Sequence, residues 1–209
     1  MFDYHVYSLK VRSEVPITNA LPCVISDTPD VLIKFKYISP DEFLKRDPCS
    51  EKRSLQYMSV VIIDTAYFQI INGNEIHAEL IDIFDLNCFS QLVLGKMFGY
   101  LLMQRFMVAL HGSSIFYHNK GIVFTGDSGA GKSTTTAQFL QMGAVFLADD
   151  ISVIGDKIPP QLFLGYPQRR LCRDAADRVG HDVTQLYRVI DDVEKYAIPE
   201  KNYMLQAEL

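Results

Sequence analysis

The chain has 209 residues, and a chain of that size buries roughly 70% of its unfolded surface, so it folds as one large domain or a core with an appended subdomain without disulfides or metals to staple it. Its composition, 48% apolar and 22% charged with no low-complexity tract and no repeat, excludes fibrous, solenoid and disordered classes. The net charge of −5 arises in the N-terminal part, where residues 1–85 carry 8 basic and 13 acidic side chains, and no cluster of Lys and Arg offers a footprint for nucleic acid.

Residues 4–12 (YHVYSLKVR) alternate bulky and polar side chains, which predicts a half-buried strand stopped by Pro16, and Asp30 to Ile38 (DVLIKFKYI) predicts a second. Ser39 to Ser54 is polar with two prolines and reads as a loop with a short helix starting at Pro40. Strands are expected again at Tyr57 to Asp64, Tyr67 to Ile71 and Glu75 to Leu80, with Asn72-Gly73 as a hairpin turn between the last two. Residues 1–84 are therefore expected to form a mostly antiparallel β subdomain. From Asp85, a plausible N-cap, apolar residues from Leu86 to Leu110 recur at steps of three and four and predict a long, largely buried helix that opens a second domain, 85–209. Gln91, Lys96, Gln104 and Arg105 interrupt this run, so no membrane span is expected.

Two β runs, Ser113 to Tyr117 and Gly121 to Thr125, then lead into Gly126 to Thr134, GDSGAGKST. Gly126, Gly131, Lys132 and Ser133 meet the pattern G-x-x-x-x-G-K-[ST] of a Walker A loop. Glycines at 126, 129 and 131 permit positive φ and turn several N–H groups inward as an anion nest, so the expected nucleotide-binding residues are Gly126, Asp127, Ser128, Gly129, Ala130, Gly131, Lys132, Ser133 and Thr134. Lys132 supplies a charge for the β- and γ-phosphates of ATP, the hydroxyl of Ser133 a ligand for Mg2+, and the helix from Ser133 to Met142 a dipole pointing at the same phosphates. One helix later, Gly143 to Ala148 reads as a short strand ending in Asp149-Asp150, the layout of a Walker B strand. Two adjacent carboxylates there divide labour between the metal and the proton of an attacking hydroxyl. His111, before the first β run, reads from its surroundings alone as either a core residue or a catalyst.

Beyond Asp150, Ile151 to Ile154 continues as strand and Pro159-Pro160 breaks the chain. Arg169-Arg170 reads as an anion contact or as a solvated loop. Asp174 to Gly180 and Thr184 to Asp191 predict short helices, and Tyr203 to Leu205 an aromatic strand. Cys23, Cys49, Cys88 and Cys172 are scattered with no C-x-x-C pair and no His at ligand spacing, which argues against zinc and for reduced structural thiols in a cytoplasmic protein. The N-terminal MFDYHVYSLKVRSE has no apolar run and predicts no secretory signal.

The string LHGSSIFYHNKGIVFTGDSGAGKS, followed at a short interval by LADDISVI, resembles the kinase domain of the bacterial HPr kinase/phosphorylases, most closely over residues 109–154. A similar loop-helix-acid arrangement occurs in the much longer ATP-dependent phosphoenolpyruvate carboxykinases. The resemblance implies an α/β P-loop kinase core of the HPr kinase/PEP carboxykinase type and a serine kinase using ATP and Mg2+. Carried over by position, it implies Asp149 as the base on the acceptor hydroxyl, Asp150 and Ser133 at the metal, Lys132 at the phosphates and His111 as a polar catalytic neighbour; Asp149 and Asp150 can exchange these roles. The Glu-x-Arg-Gly-x-Gly signature of that family is not found after Asp150, which argues against HPr as acceptor and against phosphorylase activity. Stand-alone relatives, some linked to lasso-peptide precursors, are similar in their β-rich N-terminal part and in the Gly-Tyr-Pro at 165–167, and imply a serine of a small protein or peptide as acceptor. The family also implies self-association as a homo-oligomer. Two other functions stay open from the residues: a nucleotide-binding regulatory module without efficient transfer, and a kinase of small metabolites.

Overall fold

In the computed structural model, which describes residues 1–46, 54–62, 66–81, 85–127, 129–156, 158–189 and 194–209, the first expected strand is a hairpin. Strands β1 (Phe2–Val6) and β2 (Leu9–Ser13) are joined by Tyr7 and Ser8, with φ of 49° and 63°. Two successive left-handed residues make the tight turn whose twist suits a two-residue hairpin. Neither residue is the usual Asn or Gly. The Tyr7 side chain is fully buried, with its ring centroid 6.1 Å from that of Phe98, and this burial offsets the backbone cost of the turn.

The chain is mixed α/β with mostly antiparallel sheets, and it divides into two compact units, Met1–Phe106 and Met107–Leu209. In the first unit β3 (Leu21–Pro22), β4 (Val31–Ile38), α1 (Pro40–Leu44), β5 (Tyr57–Ile62), β6 (Ala66–Ile71) and β7 (Glu75–Ile81) follow. Among the described residues these strands form a seven-stranded sheet in the order β3-β1-β2-β4-β7-β6-β5. It is less antiparallel than expected, because β4 runs parallel to both β2 and β7. Helix α1 starts at Pro40 with a capping box between Ser39 and Glu42. The turn at Asn72-Gly73 forms as predicted, with φ of 51° and 67°. Cys49, Asp64 and the expected boundary at residue 84 lie outside the described residues.

The long helix is broken into α2 (Leu86–Leu92), a π-helical turn (Val93–Met97) and α3 (Phe98–Gln104). Asp85 caps it, accepting a hydrogen bond from the Asn87 N–H at 2.8 Å. Expected to open the second domain, it belongs to the first unit, so the division falls after Phe106. The reason lies in what the helix covers. Phe89 stacks on Phe68 of β6 at 6.2 Å, and Gln104 donates to the Ile70 carbonyl at 3.1 Å while accepting the Gly73 N–H at 2.8 Å. Periodicity shows that a helix is buried but not which sheet buries it.

The second unit contains β8 (Val108–Tyr117), β9 (Lys120–Thr125), α4 (Lys132–Gln141), β10 (Val145–Ala148), β11 (Ile151–Ile154), β12 (Gln161–Phe163), β13 (Gln168–Cys172), α5 (Arg173–Arg178), β14 (Tyr187–Val189), β15 (Lys195–Pro199) and β16 (Gln206–Glu208). Strand β8 organises it. Along one side β8 pairs with β9; along the other it pairs first with β11 and then with β10, all antiparallel. Strands β12 and β16 extend this sheet, while β13, β15 and β14 form a separate three-stranded one. Ala137 of α4, Ala176 of α5 and Leu171, Tyr196 and Ile198 of the small sheet share one core cluster.

Three expectations fail here. Arg169-Arg170 lies in β13 and not in a loop. The helix expected at 184–191 is a 3-10 turn (Val183–Gln185) followed by β14, whose Tyr187 and Val189 favour a strand; Asp191 lies outside the described residues. Tyr203 makes only an isolated bridge with Phe146, and the strand forms at Gln206–Glu208 instead. Among the described residues, no helix is long and apolar enough to cross a membrane.

Candidate functional site

Antiparallel pairing on both sides of β8 makes β9 and β10 run in the same direction. Thr125, the last residue of β9, stands opposite Gly112 of β8, and from the other side the residues between β10 and β11 reach the same level. That break is Asp149-Asp150. The glycine-rich loop that follows Thr125 and the twin acids are thus delivered to one place by strand register alone.

The loop has the backbone its sequence calls for. Gly126, Gly129 and Gly131 have φ of 147°, 84° and 87°, and the Ala130 N–H bonds the Asp127 carbonyl at 3.1 Å to close a turn. At Gly129 and Gly131 an added Cβ would meet nothing within 4 Å, so these glycines are required by conformation and not by crowding. Gly131 is the N-cap of α4, and Lys132, Ser133 and Thr134 form its first turn. The ammonium of Lys132 donates to the carbonyls of Gly126 at 2.7 Å and Asp127 at 3.0 Å, holding its charge over the loop. Ser128 lies outside the described residues.

The acids have unlike surroundings. Asp149 is 6% exposed, and its Oδ1 accepts hydrogen bonds from the hydroxyls of Ser113, a short contact, and Ser133, at 3.4 Å; its Oδ2 accepts the Arg170 N–H at 2.8 Å. Asp150 is more open. Its Oδ2 accepts from Arg170 Nη1 at 3.1 Å, and its Oδ1 lies 3.6 Å from His111 Nδ1. Asp150 has φ of 74°, and the Ile151 N–H bonds the Asp149 carbonyl at 3.0 Å, which makes the pair a γ-turn of the rare positive-φ form. The sequence reading put Ser133 with Asp150; in the fold the Ser133 hydroxyl is bonded to Asp149.

His111 is not a core residue, since its side chain is 63% exposed. Its Nδ1 sits 3.0 Å from the Asp150 carbonyl, and because a carbonyl only accepts, Nδ1 carries the hydrogen. Gly112 beside it cannot be enlarged: an added Cβ would lie 2.5 Å from the Phe124 carbonyl oxygen.

One residue escaped the sequence reading and another was read only in part. Ser113 lay in the string LHGSSIFY with no role assigned to it, and Arg170 was read with Arg169 as an anion contact or a solvated loop, not as a partner of the acids. Arg170 touches both acids, through its main-chain N–H and its guanidinium, and also donates from Nη2 to the Tyr166 hydroxyl at 3.1 Å. Burial opposes the Arg170 charge, but the Tyr166 oxygen and the carboxylates of Asp150 and Asp149 outweigh it and raise its pKa. Burial likewise pushes the Tyr166 phenol up. The adjacent Arg169 is spent on an ion pair with Glu200. The only advance signal was an Arg pair following Gly165-Tyr166-Pro167.

A cleft of about 260 Å3 joins these groups, lined by His111, Gly129, Gly131, Lys132, Ser133, Thr134, Asp149, Asp150 and Arg170, with Cys172 and Lys195 also on its wall. Among the described residues, no group of three or more His, Cys, Asp or Glu side chains is placed to hold a metal ion. The chain matches no protein-family model, and no characterised protein matches it.

Proposed function

We propose that the second unit is a P-loop kinase core of the HPr kinase/PEP carboxykinase type, and that the protein is an ATP- and Mg2+-dependent serine kinase acting on a small protein or peptide. The observation that carries this reading is the convergence in one cleft of the glycine loop, Lys132, Ser133 and both acids. The acceptor class follows from the sequence resemblance.

The donor set fits magnesium. Ser133 and Asp149 offer hard oxygens 3.4 Å apart beside a loop that holds phosphates, and Mg2+ typically takes one or two protein oxygens and completes its shell with phosphates and water. When bound, the ion would neutralise negative charge on the triphosphate. The backbone N–H groups of the loop and of the first turn of α4 hold the triphosphate, and Lys132 swings from the Gly126 and Asp127 carbonyls to its outer oxygens. Asp149 serves the metal side with Ser133. Asp150, more open and beside His111, takes the proton of the acceptor serine as its oxygen attacks the γ-phosphorus in line and the bond to the bridging oxygen of ADP breaks. Relative to the roles implied by resemblance, the two acids are exchanged.

The test is to incubate the protein with ATP, Mg2+ and serine-bearing peptides and to look for an added phosphate by mass. Asp150→Asn is expected to bind ATP normally and transfer at least roughly 100-fold more slowly. Tight ATP binding with no transfer to any peptide, small protein or metabolite overturns the kinase reading in favour of a nucleotide-responsive regulatory module.

A further inference from the structure

We propose that Ser113 is a positioning residue for the metal-side carboxylate: it fixes Asp149 so that Oδ1 is presented to Ser133. This rests on the kinase reading of the cleft, but only on its nucleotide and metal part.

The placement is built by a register shift. Along the β8–β10 ladder Phe116 faces Val145 and Ile115 faces Phe146, but Ser114 then faces Ala148, leaving Leu147 as an extra residue. A bulge of this kind reverses which side chain meets which across the ladder and re-aims the residues beyond it. Continued by one step, the shifted register sets Asp149 against Ser113; without Leu147 in the bulge, Asp149 would fall opposite Gly112, which has no side chain. Directly opposed residues bring their side chains into bonding range, and the Ser113 hydroxyl donates to Asp149 Oδ1. Leu147 is itself pinned, fully buried and with its carbonyl accepting the Gly165 N–H at 3.0 Å, so the bulge is not free to slide.

Ser113 and the Arg170 N–H grip the two oxygens of one carboxylate from different strands, β8 and β13. Two donors on opposite oxygens fix the plane of the carboxylate, and the plane decides whether Oδ1 points at the Ser133 hydroxyl. Ser113 is 1% exposed, so water does not replace its hydroxyl if it is removed. Among the described residues, no phosphate-holding group of the loop is bonded to the Ser113 side chain, which separates its effect on the metal from any effect on nucleotide. Outer-sphere partners of metal ligands typically govern 10- to 100-fold in metal affinity.

The test uses the full chain and a fluorescent ATP analogue, titrated with Mg2+ for the native protein and Ser113→Ala. Binding without Mg2+ is expected to be equal in the two, while the Mg2+ concentration that gives half the metal-dependent enhancement rises roughly 10-fold or more in the variant. Transfer by the variant, where measured, recovers at high Mg2+, a KM-type effect on the metal. Ser113→Cys, of the same shape with a weaker donor, is expected to fall between. Thermal unfolding of the variants checks that they fold. An unchanged Mg2+ requirement in folded Ser113→Ala overturns the proposal, as does equal weakening with and without the metal, which marks a merely structural residue. A native protein that binds the analogue with no response to Mg2+ also overturns it. A native protein that shows the Mg2+ shift but no phosphoryl transfer leaves the positioning role standing and removes the kinase reading alone.

Discussion

Asp149→Asn and Asp149→Ala separate what the buried acid does for the fold from what it does for chemistry. In the native chain the carboxylate accepts from Ser113, Ser133 and the Arg170 N–H. An asparagine can turn its carbonyl to the Arg170 N–H and its amide to the two hydroxyls, which rotate to accept. Every partner is kept and only the charge assistance is lost, at a cost of about 1 kcal/mol. Alanine leaves the Arg170 N–H without an acceptor at a nearly buried site, at about 2 kcal/mol or more. For a chain of this size those figures correspond to roughly 2–4 °C and 4–8 °C in thermal midpoint. Phosphoryl transfer is expected to fall by roughly 100- to 1,000-fold in both, because the charge is gone in both. Calorimetry and the mass assay are run on the same preparations. Asparagine that destabilises as much as alanine refutes the hydrogen-bond exchange, and asparagine that keeps full transfer refutes the place of Asp149 in the reaction.

Two glycines of the second unit fail in different ways: Gly131→Ala meets only the left-handed backbone cost of about 1–2 kcal/mol and mainly loses ATP affinity, whereas Gly112→Ala drives a Cβ onto the Phe124 carbonyl and lowers the melting midpoint further, both read by thermal unfolding and nucleotide titration. At Asp150, whose φ is 74°, Asp150→Gly is expected to be about 1 kcal/mol more stable than Asp150→Ala, since glycine takes that conformation freely, while transfer is lost equally in both; equal stability would show that the turn relaxes. In the first unit the Arg12 guanidinium, hydrogen-bonded to Asp3 at 2.7 Å, holds the Asp3 carboxyl below its ordinary range. A depressed folded pKa gives stability that is present above the unfolded carboxylate range and is lost as pH falls through the folded value. Arg12→Met is therefore expected to be destabilising at pH 7 and progressively less so on acidification, measured as denaturation midpoints of both proteins across that range; a difference independent of pH contradicts the ion-pair account.

Much of the second unit was legible because its signals are local. A run of β residues, three glycines that need positive φ and a Lys-Ser at a helix start are all statements about neighbours in sequence, and the described residues there take those local conformations: strand at Lys120–Thr125, positive φ at Gly126, Gly129 and Gly131, and helix at Lys132–Gln141. The first unit was legible strand by strand but not in its connections. In YHVYSLKVR the adjacent bulky pair Val6-Tyr7 slips the alternation by one residue, but no Gly, Asn or Pro marks a turn there, and the turn that forms is backed by a distant ring, Phe98. Parallel pairing of β4 with β2 and β7 is equally silent, since it joins residues 20 and more positions apart. Ser113 was missed, and the partners of Arg170 were not foreseen, for the same reason. Each acquires its meaning only from partners beyond its own strand, 36 and 20 or 21 residues away.

The Asp-Asp pair shows how much a sequence motif leaves to the backbone. In a regular strand adjacent side chains point to opposite faces, so two consecutive aspartates between β10 and β11 would present one carboxylate to the cleft and bury or expose the other elsewhere. Both in fact line the cleft. The γ-turn does this: the positive φ of Asp150 interrupts the alternation, and the Gly112 N–H, bonded to the Asp150 carbonyl at 3.1 Å, ties the interruption to β8. Strain of this form, of order 1–3 kcal/mol, persists only where the surroundings over-determine it. Here they do, through the His111 Nδ1–H on the same carbonyl and Arg170 on the carboxylate. Both acids therefore face one cleft because the strand is broken at Asp150, and the break is held by His111 and Arg170, which also line that cleft.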